Sequence, residues 1–456
     1  MQEKGPFRRV IAIGPMPPEK CAYALARYSR SSDSIEDSIR WVYDHSAEKF
    51  WEQFYFDYGH ASIADLGHVV ICFEEISELA AIRLEDEPLW DGQAKSSRYQ
   101  NFASSRWFVP NHLRGSETEA TYEGILRSLS EAYRLLHDPL VAYLSEREPR
   151  PDTMGQADYR RRIAARAFDV TRYLLPLAAT TNVGQVVSIR TLEKQMTRLL
   201  SSQLTELRAI GEELKEACQR PPVNLWNELC GLNASLPDPL APTLSRHAKA
   251  SSYQATVYSD LARHARELVR EAGLDRPDTW RTTEEPVDLI EPHSPLDEVV
   301  ATLLYRVAHA PYRSILALVR EWSEKQKRET IEIATRRRGS HDELIKEFRS
   351  GYAVIFDVLM DIGAWRDLHR HRRCQQVQQN FTTVHGYDVP PPLIAAGLDQ
   401  EYRQAMDAVR GDIELLKEQD QEASLYAIPF GFKVRCLFKM DFAEAEYIAK
   451  LRSGVK

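Results

Sequence analysis

The stretch "WRDLHRHRRCQQVQQNF" at residues 365–381 sets Arg366, His369, Arg370, His371, Arg372 and Arg373 close together in a chain of formal net charge −8. Guanidinium groups are natural ligands of phosphate and carboxylate, because their planar fork donates two parallel hydrogen bonds. Two readings of the cluster are open. One is a solvated helical face, the common fate of a charge run; the other is an anion site. On a helix, Arg366, Arg370 and Arg373 fall at steps of four and three and share a face, with His371 directed elsewhere. Basic residues near a helix C-terminus also complement the helix dipole, a further structural explanation. The spacing argues against a metal: His369 and His371 do not converge on a helix, and adjacent arginines repel a cation. Cys374 has two readings as well, a thiol activated by Arg373 or an inert one.

The first half of the chain offers "YGHASIADLGH" (58–68), "SSRYQNF" (96–102), "TRYLLP" (171–176) and "SIRTLEKQMTRLLSSQLTELR" (188–208). The last reads as a helix with Leu192, Met196, Leu199 and Leu207 inward, so Arg190, Arg198 and Arg208 need not share one face. Ser96, beside Arg98, adds a hydroxyl that can donate to an anion. The alternative is a Ser/Arg turn followed by a helix with i,i+4 ion pairs around Glu193 and Arg198.

Which elements hold these residues follows from pattern. At 456 residues the chain is long for one core, so at least two domains are expected. With 43% hydrophobic and 28% charged residues it has the composition of an ordinary globular protein. The acidic balance argues against general nucleic-acid binding, so an anion site must be local. No segment approaches the apolar length of a membrane span, and "MQEKGPFRRVIAIG" lacks a signal peptide's apolar run. Six scattered cysteines without CxxC spacing point to reduced thiols and a cytoplasmic location.

A Pro- and Asn-rich stretch over 219–243 places a boundary near 235, and the segments on either side repeat an order of elements. A helical stretch ("CAYALARYSR", "ATLLYRVAHA") leads to a buried-strand run ("HVVICFEEIS" at 68–77, "YAVIFDVLMD" at 352–361). Then come "QNF" (100–102 and 379–381), Val109-Pro110 and Val389-Pro390, and amphipathic helices through Ile125, Leu129, Tyr133 and Leu136, and through Tyr402, Met406 and Val409. "YLLP" (173–176) and "YAIP" (426–429) follow, each with another helix behind it. The order predicts a duplicated α+β domain over 1–235 and 236–456, each a small sheet with packed helices.

In this order the motifs resemble the flavin-dependent thymidylate synthases. Gly59-His60-Ala61-Ser62, Ser96-Ser97-Arg98-Tyr99, Leu175-Pro176, Arg190 and Gln203-Leu204-Thr205-Glu206-Leu207-Arg208 match much of that family's pattern in the first half. Arg370-His371-Arg372 matches its signature triplet in the second. The resemblance spans most of 15–217 and, more weakly, 296–452. It implies two tandem thymidylate-synthase-complementing-type domains, FAD as cofactor, and NADPH and methylenetetrahydrofolate as co-substrates. Reduced flavin then serves to pass a one-carbon unit to C5 of a uracil nucleotide, without a cysteine nucleophile. It further implies Arg370, His371, Arg372 and His60 at the flavin, and Ser96, Arg98, Arg190 and Arg208 at the nucleotide; no catalytic residue is assigned. Two chains would make a homodimer that reproduces a four-unit family assembly.

The pattern is also split. Asp86-Glu87-Pro88 stands where the first half should carry Arg-His-Arg; the second half keeps that triplet but follows it with "RCQQVQQNFTT" instead of Ser-x-Arg-Tyr. A non-catalytic nucleotide- or flavin-binding homologue, and a flavoenzyme acting on a different pyrimidine, are the alternatives.

Overall fold

The structure is a computed structural model that describes residues 11, 14, 16–31, 34–57, 61–97, 102, 106–224, 229–231, 238–271, 286–289, 294–305, 312–336, 344–349 and 354–453. In chain order, α1 (Pro18–Tyr28) and α2 (Ile35–Tyr43) precede a π-helical turn at Trp51–Asp57, then β1 (His68–Ser77), α3 (Glu78–Leu84) and β2 (Asp91–Ala94). The long α4 (Glu117–Arg147) and α5 (Gln156–Thr171) lead to β3 (Thr180–Ser188), α6 (Ile189–Leu200), α7 (Thr205–Cys218), α8 (Pro242–His247) and α9 (Ser252–Glu271). The later elements are β4 (Val287–Leu289), α10 (Pro295–Tyr305), α11 (Tyr312–Arg320), α12 (Glu324–Thr335), β5 (Val354–Asp361), α13 (Ile362–His369) and β6 (Gln375–Gln378). The chain continues through α14 (Asp399–Gln419), α15 (Gln421–Ala427), β7 (Lys433–Met440) and α16 (Phe442–Ser453). No described helix is long and apolar enough to cross a membrane.

Two compact units emerge, and each is discontinuous in sequence. The first comprises Met1–Glu74, Arg83–Ala94 and Asn182–Ala272; the second comprises Glu75–Ile82, Lys95–Thr181 and Gly273–Lys456. The first carries a sheet in the order β1-β3-β2, the second one in the order β4-β5-β7-β6. In both small sheets the last strand, β3 or β7, lies between the strand that enters the helix α3 or α13 and the short strand that follows that helix. The runs expected as strands are strands. β1 is buried at alternate positions over most of its length and β7 strictly so, as a one-faced sheet requires, whereas β5 is buried only at Val354 and Val358.

In the first unit a buried amide network braces the sheet. Trp90 Nε1 donates to Gln185 Oε1 at 2.6 Å, Gln185 Nε2 donates to Gln195 Oε1 at 2.8 Å, and Gln195 Nε2 donates to the Leu84 carbonyl at 3.1 Å. Gln185 and Gln195 are 1% and 0% exposed, a burial that only complete pairing tolerates. The segment expected as one helix over 188–208 is two, α6 and α7, with all four named apolar residues buried. Ser188 caps the first by accepting from the Thr191 N–H.

The second unit holds the amphipathic helices α4 and α14, which pack together along the predicted apolar stripes. At its centre the two Tyr-x-x-Pro segments pair antiparallel, with a bridge at Pro176 and Pro429. Leu177 N–H donates to Ile428 O (2.9 Å) and Phe430 N–H to Leu175 O (3.0 Å). Ala178 N–H donates to Tyr426 O, and Gly431 N–H to Tyr173 O, both at 2.8 Å. Each bond has a counterpart with the two segments exchanged. The same exchange relates Tyr122 Oη→Phe108 O to Tyr402 Oη→Asp388 O, and the bridge Trp107–Ala179 to Tyr387–Phe432. It also relates the cap of α3, where Ala80 N–H meets Ser77 Oγ, to that of α13, where Ala364 N–H meets Asp361 Oδ1. Gly431 is required where it stands, since a Cβ there would lie 2.5 Å from Tyr402 Oη.

Candidate functional site: the turn after α13

Asp361 caps α13 at its start, and the helix stops at His369, earlier than the sequence pattern suggests. From there the chain folds into a tight turn. His371 N–H donates to Leu368 O, Arg372 N–H to Arg370 O, and Cys374 N–H to His371 O. These backbone donors are used inside the turn, so an anion would have to be gripped by side chains.

The arginines do not share a face, which corrects the helical reading. Arg366 turns inward, donating from Nη2 to Glu78 Oε2 at 2.5 Å with its guanidinium 4.6 Å from the Phe430 ring centre. Glu78 is fully buried, so this pair is structural and expensive to break. Because the helix has already ended, Arg373 swings to Glu444, its Nε 3.6 Å from Oε2. His371 is 6% exposed. Arg452 Nε donates to its Nε2 at 3.1 Å, and Glu444 Oε1 lies 3.6 Å from its Nδ1. Arg370, by contrast, is exposed, and its side chain makes no hydrogen bond or ion pair among the described residues; Arg372 is half-buried. The turn therefore offers outward positive charge over a buried, internally tied histidine.

His369 is 8% exposed and stacks on Trp365 at 4.7 Å. Burial pushes the Cys374 thiol up to about 11 and the Cys436 thiol up to about 12, so both stay protonated at neutral pH. Of the two readings of Cys374, the inert one holds.

The corresponding turn of the first unit has the opposite character. Asp86 pairs with Arg83 at 3.3 Å, and the buried Glu87 accepts from Arg198 Nε at 2.7 Å. Arg198 thus reaches a residue far along the chain, and Glu193 faces Tyr55 instead of joining a helical ion pair. In the same unit Arg190 donates to Asp65 Oδ2 at 2.7 Å, while Ser188 Oγ donates to Asp65 Oδ1. Arg208 donates from Nη1 to the Ser202 and Gln203 carbonyls at 2.7 and 2.8 Å, closing the turn between α6 and α7. Ser96 is half-buried in the second unit, just past β2. His60 and Arg98 lie outside the described residues.

The family model described as thymidylate synthase complementing protein matches residues 12–221 and 297–456. The chain belongs to that family. The match to the thymidylate synthase complementing protein family is interrupted over 222–296, the stretch that includes the Pro- and Asn-rich linker and the segment after α9. Among relatives, a "UPF0159 protein" of Chlamydia muridarum is 25% identical over 415 residues, covering 89% of this chain and 75% of its own. UPF0159 protein Ta1429 of Thermoplasma acidophilum is 24% identical over 469 residues, covering 94% and 87%. Among solved structures, the flavin-dependent thymidylate synthase ThyX of Helicobacter pylori, complexed with FAD and dUMP, matches at 16% identity and a TM-score of 0.28. It covers 47% of this chain and 93% of that one. The UMP/dUMP methylase PolB of Streptomyces cacaoi, bound with 5-Br dUMP, matches at 15% identity and a TM-score of 0.29, over 50% and 88%.

Three residues that build the turn escaped the sequence: Glu78, Glu444 and Arg452. Nothing local marks them. Glu78 opens a helix, where acids are ordinary, and Glu444 and Arg452 sit in the first and last turns of α16 as the helix dipole alone would favour.

Proposed function

We propose that the chain is a tandem-duplicated, flavin-dependent thymidylate-synthase-like enzyme, with one family-type domain over 1–235 and a second over 236–456. Family membership and the exchanged hydrogen bonds of the two Tyr-x-x-Pro segments support the duplication. The observation that carries the anion reading is Arg370, exposed and with no side-chain hydrogen bond or ion pair among the described residues, beside Arg366 and Arg373, which face Glu78 and Glu444.

FAD fits the second-half turn. Arg370 and Arg372 would take its pyrophosphate, with His371 fixed beneath them, and His60 would lie at the flavin as the family motif implies. The flavin supplies, when bound, the reducing electrons that turn a transferred one-carbon unit into a methyl group. Ser96, Arg98, Arg190 and Arg208 would hold a uracil nucleotide. Arg190 and Arg208 keep donors for this, since a guanidinium has five N–H groups and the internal bonds use only some of them. Methylenetetrahydrofolate and NADPH complete the set of substrates. The working assembly is a homodimer, in which two duplicated chains supply four family-type units.

The purified protein should be yellow, and reduced flavin with methylenetetrahydrofolate should convert deoxyuridylate to thymidylate. Light scattering should give the mass of two chains. A colourless protein that takes up no added flavin defeats the enzyme reading. The Glu87–Arg198 pair supports a second reading, a non-catalytic homologue that binds flavin or nucleotide. Flavin uptake without thymidylate formation on any uracil nucleotide would favour it.

A further inference from the structure

His371 is held at Nε2 by Arg452 of α16 and faces Glu444 of the same helix with Nδ1, and the bond at Nε2 sets its tautomer. A guanidinium has no lone pair to offer, so where Arg452 Nε meets Nε2 at 3.1 Å the ring must accept. The ring proton then sits on Nδ1, facing Glu444 Oε1 at 3.6 Å. Arg452 Nη2 also donates to the Asp367 carbonyl, so one guanidinium ties the residue-371 side chain to the last turn of α13. Also packed here are Arg373, whose Nε shares Glu444; Tyr447, with its ring edge-on at 5.9 Å; Cys374, whose Sγ donates to His371 O at 2.9 Å; and Gln376, whose Nε2 donates to His371 O at 3.1 Å. A doubly protonated ring would present a donor to Arg452 and lose this tether.

Resting on the anion reading above, we propose that Arg452 is a positioning residue for the Arg370–Arg372 turn. It locks His371 as a neutral ring protonated on Nδ1, and the locked ring holds the backbone that presents Arg370 and Arg372 to a pyrophosphate. Glu444, 1% exposed, faces the opposite ring nitrogen and keeps the ring from flipping. Arg452 lies in the last turn of α16, where a substitution disturbs little packing.

The test uses the full chain with nitrogen-labelled histidine, the His371 signal being assigned by comparison with His371→Gln, and inorganic pyrophosphate as probe in calorimetry. In the unaltered protein His371 should show protonated Nδ1 and unprotonated Nε2. Arg452→Met should shift that signal toward a tautomer mixture and weaken pyrophosphate binding about tenfold, with a cooperative thermal transition lowered only slightly for the lost Arg452 bonds. Arg452→Lys keeps the charge but cannot span Nε2 and the carbonyl with one fork, so it should lose the tautomer lock and most of the affinity. Full affinity in Arg452→Lys with a mixed tautomer would show that bulk charge is the whole contribution, overturning the proposal. Undiminished affinity or an unchanged His371 signal in Arg452→Met overturns it too. A wild-type protein that binds no pyrophosphate defeats the anion reading itself, whatever the His371 signal does.

Discussion

The turn after α3 and the turn after α13 are built alike and charged oppositely. In each, the middle residue of the triplet is buried, Glu87 at 7% and His371 at 6% exposure. In each, an arginine from the helix behind the last strand reaches it, Arg198 to Glu87 at 2.7 Å and Arg452 to His371 at 3.1 Å. The scaffold contact is the same; the electrostatic result is not. A carboxylate cancels Arg198, and Asp86 beside it occupies Arg83, so the first turn presents no surplus positive charge. His371 supplies no carboxylate to set against Arg452, and Arg370 stands exposed beside it. The same backbone turn thus accommodates either an internal carboxylate or a ring at its centre, and the choice sets the charge that the turn presents.

The strongest way to break this comparison is to remove the second turn's charge. Replacing Arg370 and Arg372 by Ala should lower flavin or pyrophosphate affinity by tens of fold or more, since each charge-assisted bond contributes roughly 1.5–3 kcal/mol. The melting temperature without ligand should not change; a large fall would mean the residues are structural. Asp86→Ala, its counterpart in the first turn, should leave flavin affinity where it was, as titration by fluorescence quenching would reveal.

Next in size is the internal anion. Glu87→Ala should cost about 1–3 kcal/mol, because Arg198 is left without its partner, and the lower end is expected since Arg198 is 31% exposed. Urea unfolding reads this directly, and a loss below experimental error would mean the pair is idle. Gly431 and Ala178 occupy exchanged places in the paired segments, and the second-half position has no room for a methyl group. Gly431→Ala should destabilise by about 1–3 kcal/mol, because Tyr402 Oη is held by its bond to Asp388 O and cannot retreat freely. A neutral outcome would show that Tyr402 moves.

The smallest effect separates the helix caps, Ser77 on one side and Asp361 on the other. Burial raises the Asp361 pKa against the opposing bond from Ala364 N–H and the charge of Arg172. A raised carboxylate binds its proton more tightly folded than unfolded, so its contribution to stability is greatest below the unfolded value. That contribution declines as pH climbs through the folded one. Asp361→Ser should flatten this segment of the stability–pH curve and cost about 1 kcal/mol for the lost Tyr173 bond. Parallel curves for the two proteins would argue that Asp361 does not titrate in that window.

Much of the fold was legible beforehand. The strands at 68–77 and 354–361 appear where short runs rich in Val, Ile and Phe put them, and the buried stripes of α4 and α14 where three-to-four spacing does. Those signals are local, so one segment carries them whole. The order of motifs also exposed the family. The extent of α13 was misjudged, because a run of helix-tolerant residues does not reveal that Leu368 and His371 will close a turn. That early stop is what scattered Arg366, Arg370 and Arg373.

The amino-acid sequence alone determined that a basic cluster exists on an acidic chain, that it follows a buried strand, and that its counterpart is acidic. It could not say which arginine is available. Arg366 is taken by a glutamate 288 positions away, and His371 by an arginine 81 positions away. Whether such charges cancel depends on distance and burial, which only the folded chain sets.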